Sequence, residues 1–177
     1  MQYVSYFDSP MGRILLAADE VGLTGLWFEG QKYFPGHSDE KKEEKETAYL
    51  KQAKCWLTVY FSGKEPDFAV PVHLQGTDFQ MAVWKILQSI PYGQTMTYGE
   101  IAKKIAAQRN RQRMSAQAVG GAVGHNPISI IVPCHRVVGA DGSLTGYAGG
   151  IEKKVRLLTL EKADMTRFFV PKKGTAL

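Results

Sequence analysis

One stretch, Ile130–Val138, constrains this chain more than any other. It reads Ile-Ile-Val-Pro-Cys-His-Arg-Val-Val, and the β-branched residues at both ends predict buried strands on either side of the cysteine. The proline then places Cys134 on a rigid loop between buried segments, where the pKa and the access of a thiol can be controlled. A buried cysteine is often only a small hydrophobic side chain. The polar residues His135 and Arg136 directly after it favour a chemical role.

Residues 1–75 predict a small α/β unit that serves as a scaffold. Runs of apolar and β-branched residues predict a mixed or antiparallel sheet, and apolar residues at helical spacing from 50 to 60 predict a helix that packs on it. The Lys- and Glu-rich run 37–47 is typical of a solvated loop or of the entry to a helix. No side chain in this part suggests chemistry. The strands are expected at residues 1–8, 13–18, 22–28 and 68–74.

A mainly helical region begins after Gly76. Thr77 and Thr97 each stand three residues before a Gln or a Glu, which is the pattern of a helix N-cap. A third helix is expected at about 115–123, and two short helices with a turn between them are typical of a helix-turn-helix, although this turn is longer than usual. A last amphipathic helix is expected from residue 151.

The third helix is rich in glycine. We expect Ala118, Val119 and Ala122 to be buried. A glycine inside a helix costs about 1 kcal/mol relative to alanine, and the close approach of a DNA backbone is one reason to keep it. Tight packing of helices within the protein is the alternative. The residues expected on or near the exposed face are Gln117, Gly120, Gly121 and Gly124.

Charge is distributed unevenly along the chain. The formal charge is −3 over residues 1–76, +6 over residues 77–163 and +2 over residues 164–177. A basic half indicates a polyanionic partner, but an uneven solvated surface explains the same charges equally well. Arg111 and Arg113 precede the third helix and are candidates for contacts with phosphate.

The motifs around the cysteine resemble those of a known family. Pro133-Cys134-His135-Arg136, preceded by Asn126-Pro127 and followed by Gly146-Tyr147-Ala148-Gly149-Gly150, closely resembles the O6-alkylguanine-DNA alkyltransferases. The resemblance runs from about Gly76 to Glu161, roughly half of the chain, and is far more specific than a lone Cys-His pair.

The resemblance implies a DNA repair protein that acts once. It transfers the alkyl group, such as methyl, from O6-alkylguanine in double-stranded DNA irreversibly to its own Cys134. Together with the element pattern, it implies an α/β N-terminal domain followed by a mainly α-helical C-terminal domain with a helix-turn-helix. We expect a scaffold domain at 1–75, the alkyltransferase domain at 76–163 and a basic tail at 164–177.

Chemistry at the cysteine requires a thiolate, which a free thiol with a pKa of about 8.5 does not supply readily at neutral pH. The resemblance implies that His135 reaches the thiol of Cys134 through a water and that Glu161 orients the imidazole. It also implies that Asn126 braces the cysteine loop and that the hydroxyl of Tyr98 lies near the edge of the guanine.

Recognition of the base and of DNA follows from the same resemblance. Main-chain groups around Val137 and Ala148 read the guanine, Tyr147 helps to wall the pocket, and the third helix enters the minor groove to flip the nucleotide out. The family usually has an arginine where this chain has Gln117, which weakens the expected flipping device but leaves the nucleophile unchanged. The residues expected to contact DNA are Arg111, Arg113, Ser115, Gln117, Gly120, Gly121 and Arg136.

Three other functions fit parts of the pattern. A module that binds alkylated DNA with little or no transfer would fit Gln117, but relatives of that kind replace the cysteine that Cys134 supplies here. A sequence-specific regulator would use the helix-turn-helix, but a glycine-rich third helix offers few side chains that read bases. A cysteine hydrolase would turn over repeatedly.

We expect a monomeric, cytoplasmic protein that needs no cofactor, metal or membrane. Its first residues lack the basic leader and long apolar core of a secretory signal, and no apolar run is long enough to span a bilayer. Two cysteines with no sign of pairing fit a reducing compartment. The four histidines and two cysteines are scattered without the spacing of zinc ligands.

Overall fold

The computed structural model describes residues 1–32 and 42–171 of the chain. Contacts between residues divide the protein into two compact units. The first unit comprises Met1–Gln75 together with Pro127–Ile131, and the second comprises Gly76–Asn126 together with the residues from Val132 onward. Among the described residues, no helix combines the length and the apolar character that crossing a membrane requires.

The first unit is a four-stranded mixed sheet with one helix against it. β1 (Gln2–Ser9), β2 (Gly12–Ala18) and β3 (Leu23–Phe28) run antiparallel, and β4 (Lys42–Glu44) pairs in parallel with β1. The strand order is β3-β2-β1-β4. α1 (Ala48–Phe61) buries the apolar residues of one face, as their helical spacing predicts. The N-terminal α/β architecture is therefore confirmed.

Two segments of this unit differ from the sequence prediction. Part of the charged run 37–47, predicted as a loop or helix entry, forms the short edge strand β4, while residues 37–41 lie outside the described residues. The strand predicted at 68–74 is reduced to one bridge between Leu23 and Val72. Pro71 accepts a hydrogen bond there through its carbonyl oxygen but has no N–H to donate, which limits the pairing.

The second unit is mainly helical, as predicted. Its first helix starts at a complete capping box, in which Thr77 and Gln80 exchange two hydrogen bonds of 3.1 Å between side chain and backbone. A short parallel pair of strands joins two distant parts of the unit. The helices are α2 (Asp78–Gln88), α3 (Tyr98–Gln108), α4 (Ala116–Gly124) and α5 (Ile151–Leu160), and the strands are β5 (Met96–Thr97) and β6 (Val137–Val138).

Helices α3 and α4, joined by residues 109–115, form the helix-turn-helix. Ser115 caps α4 because its hydroxyl accepts a hydrogen bond from the amide of Ala118 (3.2 Å). Trp84 of α2 holds the last turn of α4, because its indole N–H donates a hydrogen bond to the carbonyl oxygen of Ala122 (2.8 Å). Helix α4 is therefore held from one side, which leaves its opposite side exposed.

The chain before the cysteine does not form the strand that its β-branched residues predict. Residues 127–131 make one bridge to β3, between Leu26 and Ile128, and then turn at Ile130, which has a left-handed φ of 71°. Cys134–Arg136 is a 3-10 turn that leads directly into β6. The apolar run reflects burial from several sides rather than an extended strand.

The start of the tail packs against the second unit. A 3-10 turn at Met165–Arg167 is followed by hydrogen bonds in which the carbonyl oxygen of Phe169 accepts from Leu144 (2.8 Å) and its amide donates to Gly142 (3.1 Å). Residues 172–177 of the basic tail lie outside the described residues.

Candidate active site

Cys134 lies at the start of the 3-10 turn, and its side chain is buried. The carbonyl oxygen of Val132, two residues earlier, accepts hydrogen bonds from the amide of Cys134 (2.8 Å) and from Nδ2 of Asn126 (2.8 Å). Asn126 is itself buried at the end of α4. The loop that presents the thiol is therefore fixed by a side chain from the helix-turn-helix.

His135 follows the cysteine and is wholly buried. Its Nε2 atom lies 2.6 Å from Oε2 of Glu161, whereas its Nδ1 atom has no hydrogen-bond partner among the described residues. Burial lowers the pKa of His135 below its ordinary value, although the hydrogen bond to Glu161 opposes this. We therefore assign a neutral imidazole at pH 7 with its proton on Nε2, which leaves a lone pair on Nδ1.

Glu161 follows directly after α5 and connects three groups. Its carboxylate accepts hydrogen bonds from His135, from Nε (2.8 Å) and Nη2 (3.1 Å) of Arg136, and from the amide of Gly93 (3.0 Å). Burial alone raises the pKa of Glu161, but the hydrogen bonds and charges of His135 and Arg136 outweigh it and hold the pKa well below its ordinary value. The carboxylate is thus ionised at neutral pH.

Arg136 corrects an expectation from the sequence. It was expected to contact DNA, but its side chain is only 9% exposed and its guanidinium group is engaged within the protein. Besides its bonds to Glu161, Nη1 donates to the carbonyl oxygen of Ile90 (2.7 Å). A phosphate contact was predicted because Arg136 is a cation beside the motif around Cys134. Its partner in the fold is instead the carboxylate of Glu161, which lies 25 positions later in the chain.

Tyr98 and Lys154 meet at one carbonyl oxygen. The hydroxyl of Tyr98 (3.1 Å) and Nζ of Lys154 (2.8 Å) both donate to the oxygen of Thr145. Burial raises the pKa of Tyr98, and a charge on Cys134 adds to this, so its hydroxyl stays protonated. Burial lowers the pKa of Lys154 to about 8, while a charge on Cys134 opposes that shift.

Lys154 is not among the site residues predicted from the sequence, although its position in the chain gives a signal. It lies three residues after Ile151 and four before Leu158, on the apolar stripe of α5. That spacing puts it on the buried face, and its side chain is wholly buried in the structure.

The residues predicted to bind the guanine lie in the same unit. Val137 is buried in β6, and Tyr147 is buried with its ring centroid 6.5 Å from that of His135. Ala148 is half-buried beside it. The parts assigned to the main chain at Val137 and Ala148 stay predictions.

The buried and exposed faces of α4 differ from the sequence prediction at two residues, Ala118 and Gly120. Val119, Gly120, Ala122 and Val123 are buried, whereas Gln117, Ala118 and Gly121 are exposed. Gly120 therefore lies on the inner face, next to Val119 and Val123 in the helical projection, and does not offer its backbone to DNA. Ala118, expected to be buried, takes a place on the outer face.

The outer face of α4 has no side chains at two positions. Apart from chain neighbours and the backbone of α4 itself, no described atom lies within 4 Å of a Cβ built at Gly121 or Gly124, so packing against other described parts of the protein does not explain these glycines. Arg111 and Arg113, in the connection that precedes α4, are exposed. The arrangement forms a bare helical face beside two cations.

The described residues offer no site for a metal ion. Within residues 1–32 and 42–171, no three His, Cys, Asp or Glu side chains cluster closely enough to hold one.

Two protein-family descriptions match almost the whole chain. The first, 6-O-methylguanine DNA methyltransferase, ribonuclease-like domain, matches residues 2–74. The second, 6-O-methylguanine DNA methyltransferase, DNA binding domain, matches residues 78–163.

Individual relatives cover the chain to a similar extent. The methylated-DNA–protein-cysteine methyltransferase of Mycobacterium bovis is 48% identical over 165 residues, which are 91% of this chain and 95% of the relative. That of Methanosarcina acetivorans is 46% identical over 159 residues, 90% of this chain and 97% of the relative. Mycobacterium tuberculosis OGT, in a crystal structure of its complex with DNA, has a sequence 46% identical to this chain. The two structures match with a TM-score of 0.79, and the match covers 92% of this chain and 96% of that chain.

Proposed function

This chain belongs to the 6-O-methylguanine DNA methyltransferase family, and on that basis we propose that Cys134 takes the alkyl group from O6-alkylguanine in duplex DNA. The activity of the family is DNA repair by alkyl transfer, and DNA is the partner of this chain. The finer proposal is that transfer is irreversible, so that each molecule acts once and ends as a thioether.

One observation carries the proposal. His135 directly follows Cys134, its Nε2 atom is held by Glu161 at 2.6 Å, and its Nδ1 atom has no hydrogen-bond partner among the described residues. A base needs an available lone pair and a fixed orientation. His135 has both, in a site that excludes bulk water.

The transfer proceeds in two balanced steps. The thiol proton of Cys134 passes through one water to Nδ1 of His135, leaving a thiolate and an imidazolium that Glu161 stabilises. The thiolate then attacks the alkyl carbon. As the carbon–sulfur bond forms, the carbon–O6 bond breaks and its electron pair passes to the guanine. The hydroxyl of Tyr98, which donates to the carbonyl oxygen of Thr145 in this structure, turns to the base and stabilises the charge that develops there.

Arg136 and Asn126 act by positioning. The guanidinium group of Arg136 keeps Glu161 ionised and in place, which fixes the tautomer of His135. Asn126 holds the loop before Cys134 through the carbonyl oxygen of Val132. We therefore propose that Arg136 supports the base rather than binding DNA.

The outer face of α4 is the proposed DNA surface. A helix without side chains at Gly121 and Gly124 lets a DNA backbone approach closely, which suits entry into the minor groove and flipping of the damaged nucleotide. Arg111 and Arg113 supply phosphate contacts, and Gln117 holds the gap that the base leaves. We further propose that the protein acts as a monomer in the cytoplasm, where its thiol stays reduced.

Intact mass provides the direct test. After incubation with a duplex that carries O6-methylguanine, the protein should gain the mass of one methyl group, located on Cys134. The Cys134→Ser variant should gain none and still bind the alkylated duplex, because an unassisted hydroxyl is too weak a nucleophile. Cys55→Ser, which removes the exposed cysteine, is the matched control and should react like the parent.

Two outcomes would contradict the proposal. A mass gain by Cys134→Ser would place the nucleophile elsewhere, and repeated turnover by the parent would indicate a hydrolase. The alternative of a module that binds alkylated DNA without transfer has no supporting observation, since Cys134 is present and a base follows it.

A further inference from the structure

Lys154 is a buried cation that the mechanism above does not use. Its side chain is wholly buried, and its Nζ atom donates to the carbonyl oxygen of Thr145 at 2.8 Å. Among the described residues it forms no ion pair with a carboxylate. Burying an ammonium group without a negative partner costs free energy. The position of Lys154 on the apolar stripe of α5 therefore needs an explanation.

The titratable groups around Lys154 come from two other elements. Helix α5, which carries Lys154, packs against the 3-10 turn that contains Cys134 and His135. Both residues are close enough for their charges to interact with that of Lys154. Helix α3 contributes Tyr98, whose ring centroid lies 5.9 Å from Nζ. The remaining charged pair, Glu161 with Arg136, neutralises itself through two hydrogen bonds.

This distribution leaves one uncompensated charge when the site is at rest. His135 is neutral and Tyr98 is protonated, while the charges of Glu161 and Arg136 cancel. The ammonium group of Lys154 is therefore the net charge of the cluster. A thiolate at Cys134 is the negative partner that this cation lacks.

We propose that the buried ammonium group of Lys154 is the counter-charge of the Cys134 thiolate and is thus a further residue of the transfer reaction. The inference rests on the proposed function in taking Cys134 as the nucleophile. Attraction between opposite charges is stronger where water is excluded than at the surface, and a nearby cation is a common device for lowering the pKa of a thiol. The shared bond to Thr145 fixes Lys154 beside Tyr98, and so beside the groups that act on the leaving base.

Lys154 can stabilise the thiolate only in the pH range in which its side chain is charged. Since the pKa of Lys154 is about 8, the side chain carries its charge below that pH and loses it above. Stabilisation of the thiolate by Lys154 is therefore present at neutral pH and fades as the pH rises through about 8.

Direct titration of the thiolate tests the inference without DNA. The ultraviolet absorbance of the thiolate is followed against pH in a Cys55→Ser background, and the same protein with Cys134→Ser is subtracted. Lys154→Arg keeps the charge, Lys154→Gln keeps a hydrogen-bond donor without the charge, and Lys154→Met keeps neither. Lys85→Met, at an exposed position of α2, is the matched control for loss of one cation.

We expect the apparent pKa of Cys134 to rise by about one unit or more in Lys154→Gln and Lys154→Met, the size of shift that a nearby opposite charge produces. Lys154→Arg should stay near the parent, and Lys85→Met should not differ from it. A Lys154→Gln variant that titrates like the parent would overturn the inference, and so would equal shifts in Lys154→Gln and Lys154→Arg, which would indicate a structural role.

Folding and function remain separable in this test. If Lys154→Met fails to fold, the comparison of Lys154→Gln with Lys154→Arg still decides the question, and near-ultraviolet circular dichroism reports which variants are native. Because thiolate absorbance needs no substrate, a failure of alkyl transfer to DNA leaves this measurement intact. A normal transfer rate with an unchanged thiol titration in Lys154→Gln would reject the inference while keeping the proposed function.

Discussion

The Nε2 atom of His135 lies 2.6 Å from Oε2 of Glu161, and both side chains are wholly removed from solvent. Arg136 completes the arrangement from the other side of the carboxylate. A neutral imidazole held by an ionised and doubly anchored carboxylate has its second nitrogen available as a base. This relationship connects the sequence motif around Cys134 with a residue 27 positions further along the chain.

We expect His135→Asn and Glu161→Gln each to slow transfer near neutral pH by about 10²-fold or more, the usual contribution of a general base. The deficit should shrink as the pH approaches the pKa of a free thiol, about 8.5, because the thiolate then forms without help. Single-turnover rates on O6-methylguanine duplex across this range measure it, with the double variant expected to be little slower than either single one. A loss that does not change with pH would mean that the substitutions damaged the fold.

Arg136→Met should destabilise the protein without changing the salt dependence of DNA binding. Removing one partner of a buried ion pair costs on the order of 3–5 kcal/mol, because the carboxylate of Glu161 loses its counter-charge. The pKa of Glu161 is depressed in the folded protein, so the stabilisation is present above the ordinary carboxylate pKa of about 4.3 and is lost as the pH falls below it.

Urea unfolding at neutral and acidic pH, compared with DNA affinity at several salt concentrations, checks this prediction for Arg136. The gap in unfolding free energy between the parent and Arg136→Met should narrow in acid. A reduced salt slope together with unchanged stability would restore the contact with phosphate that the sequence suggested.

The exposed arginines before α4 should carry the phosphate contacts instead. Each contact contributes about −0.9 to the slope of log K against log salt concentration, so replacing both Arg111 and Arg113 with alanine should lower the magnitude of the slope by up to about 2. Replacing Lys51 and Lys64, exposed in the first unit, is the matched control for charge and should change the slope less. An equal change in both double variants would mean that only net charge matters.

Gly121 offers a test in which stability and binding move in opposite directions. Since a Cβ at this position meets no described atom within 4 Å outside its chain neighbours and the backbone of α4, Gly121→Ala should stabilise the protein by up to about 1 kcal/mol through helix propensity. The larger Gly121→Leu should fold as well but bind duplex DNA more weakly, because its side chain occupies the space that a DNA backbone needs. Thermal unfolding and binding isotherms measure both. Unchanged binding by Gly121→Leu would contradict the assignment of this face.

Local patterns in the sequence were sufficient for the architecture. Hydrophobic spacing and N-caps such as Thr77 predicted the N-terminal α/β part and the helical C-terminal part, both of which are confirmed, and the motif around Cys134 led to the family. The faces of α4 were harder, because a helix of alanine, glycine and valine gives little contrast between inside and outside. For that reason the sequence prediction placed Gly120 on the exposed face and Ala118 on the buried face, whereas the structure shows the opposite.

Long-range partners were not accessible from local patterns. The buried role of Arg136 depends on Glu161 and on the carbonyl oxygen of Ile90, which stands 46 positions earlier. The segment that leads to the cysteine pairs with β3 through Ile128 and Leu26, so its apolar residues do not extend into the predicted strand. Nothing in local spacing identifies such partners.

Gln117 stands on the exposed face of α4 at the position where the family usually has an arginine. An arginine can fill the space left by a flipped base, offer several donors to the orphaned cytosine and stack its plane on neighbouring bases. Glutamine still donates and accepts hydrogen bonds, but it is shorter and uncharged. We expect the difference to be on the order of 1–2 kcal/mol in stabilisation of the flipped state, by analogy with stacking and cation–π contacts.

Gln117→Arg should therefore speed the repair of duplex substrate several-fold and barely change the reaction with free O6-benzylguanine, which needs no flipping. The two single-turnover rates, measured side by side, separate an effect on flipping from an effect on the thiol. Equal acceleration of both substrates would place the effect at the active site. If neither reaction is accelerated, another residue already holds the gap. Arg113, exposed four positions upstream, is the first candidate, and Arg113→Ala should then slow the duplex reaction while leaving the free base unaffected.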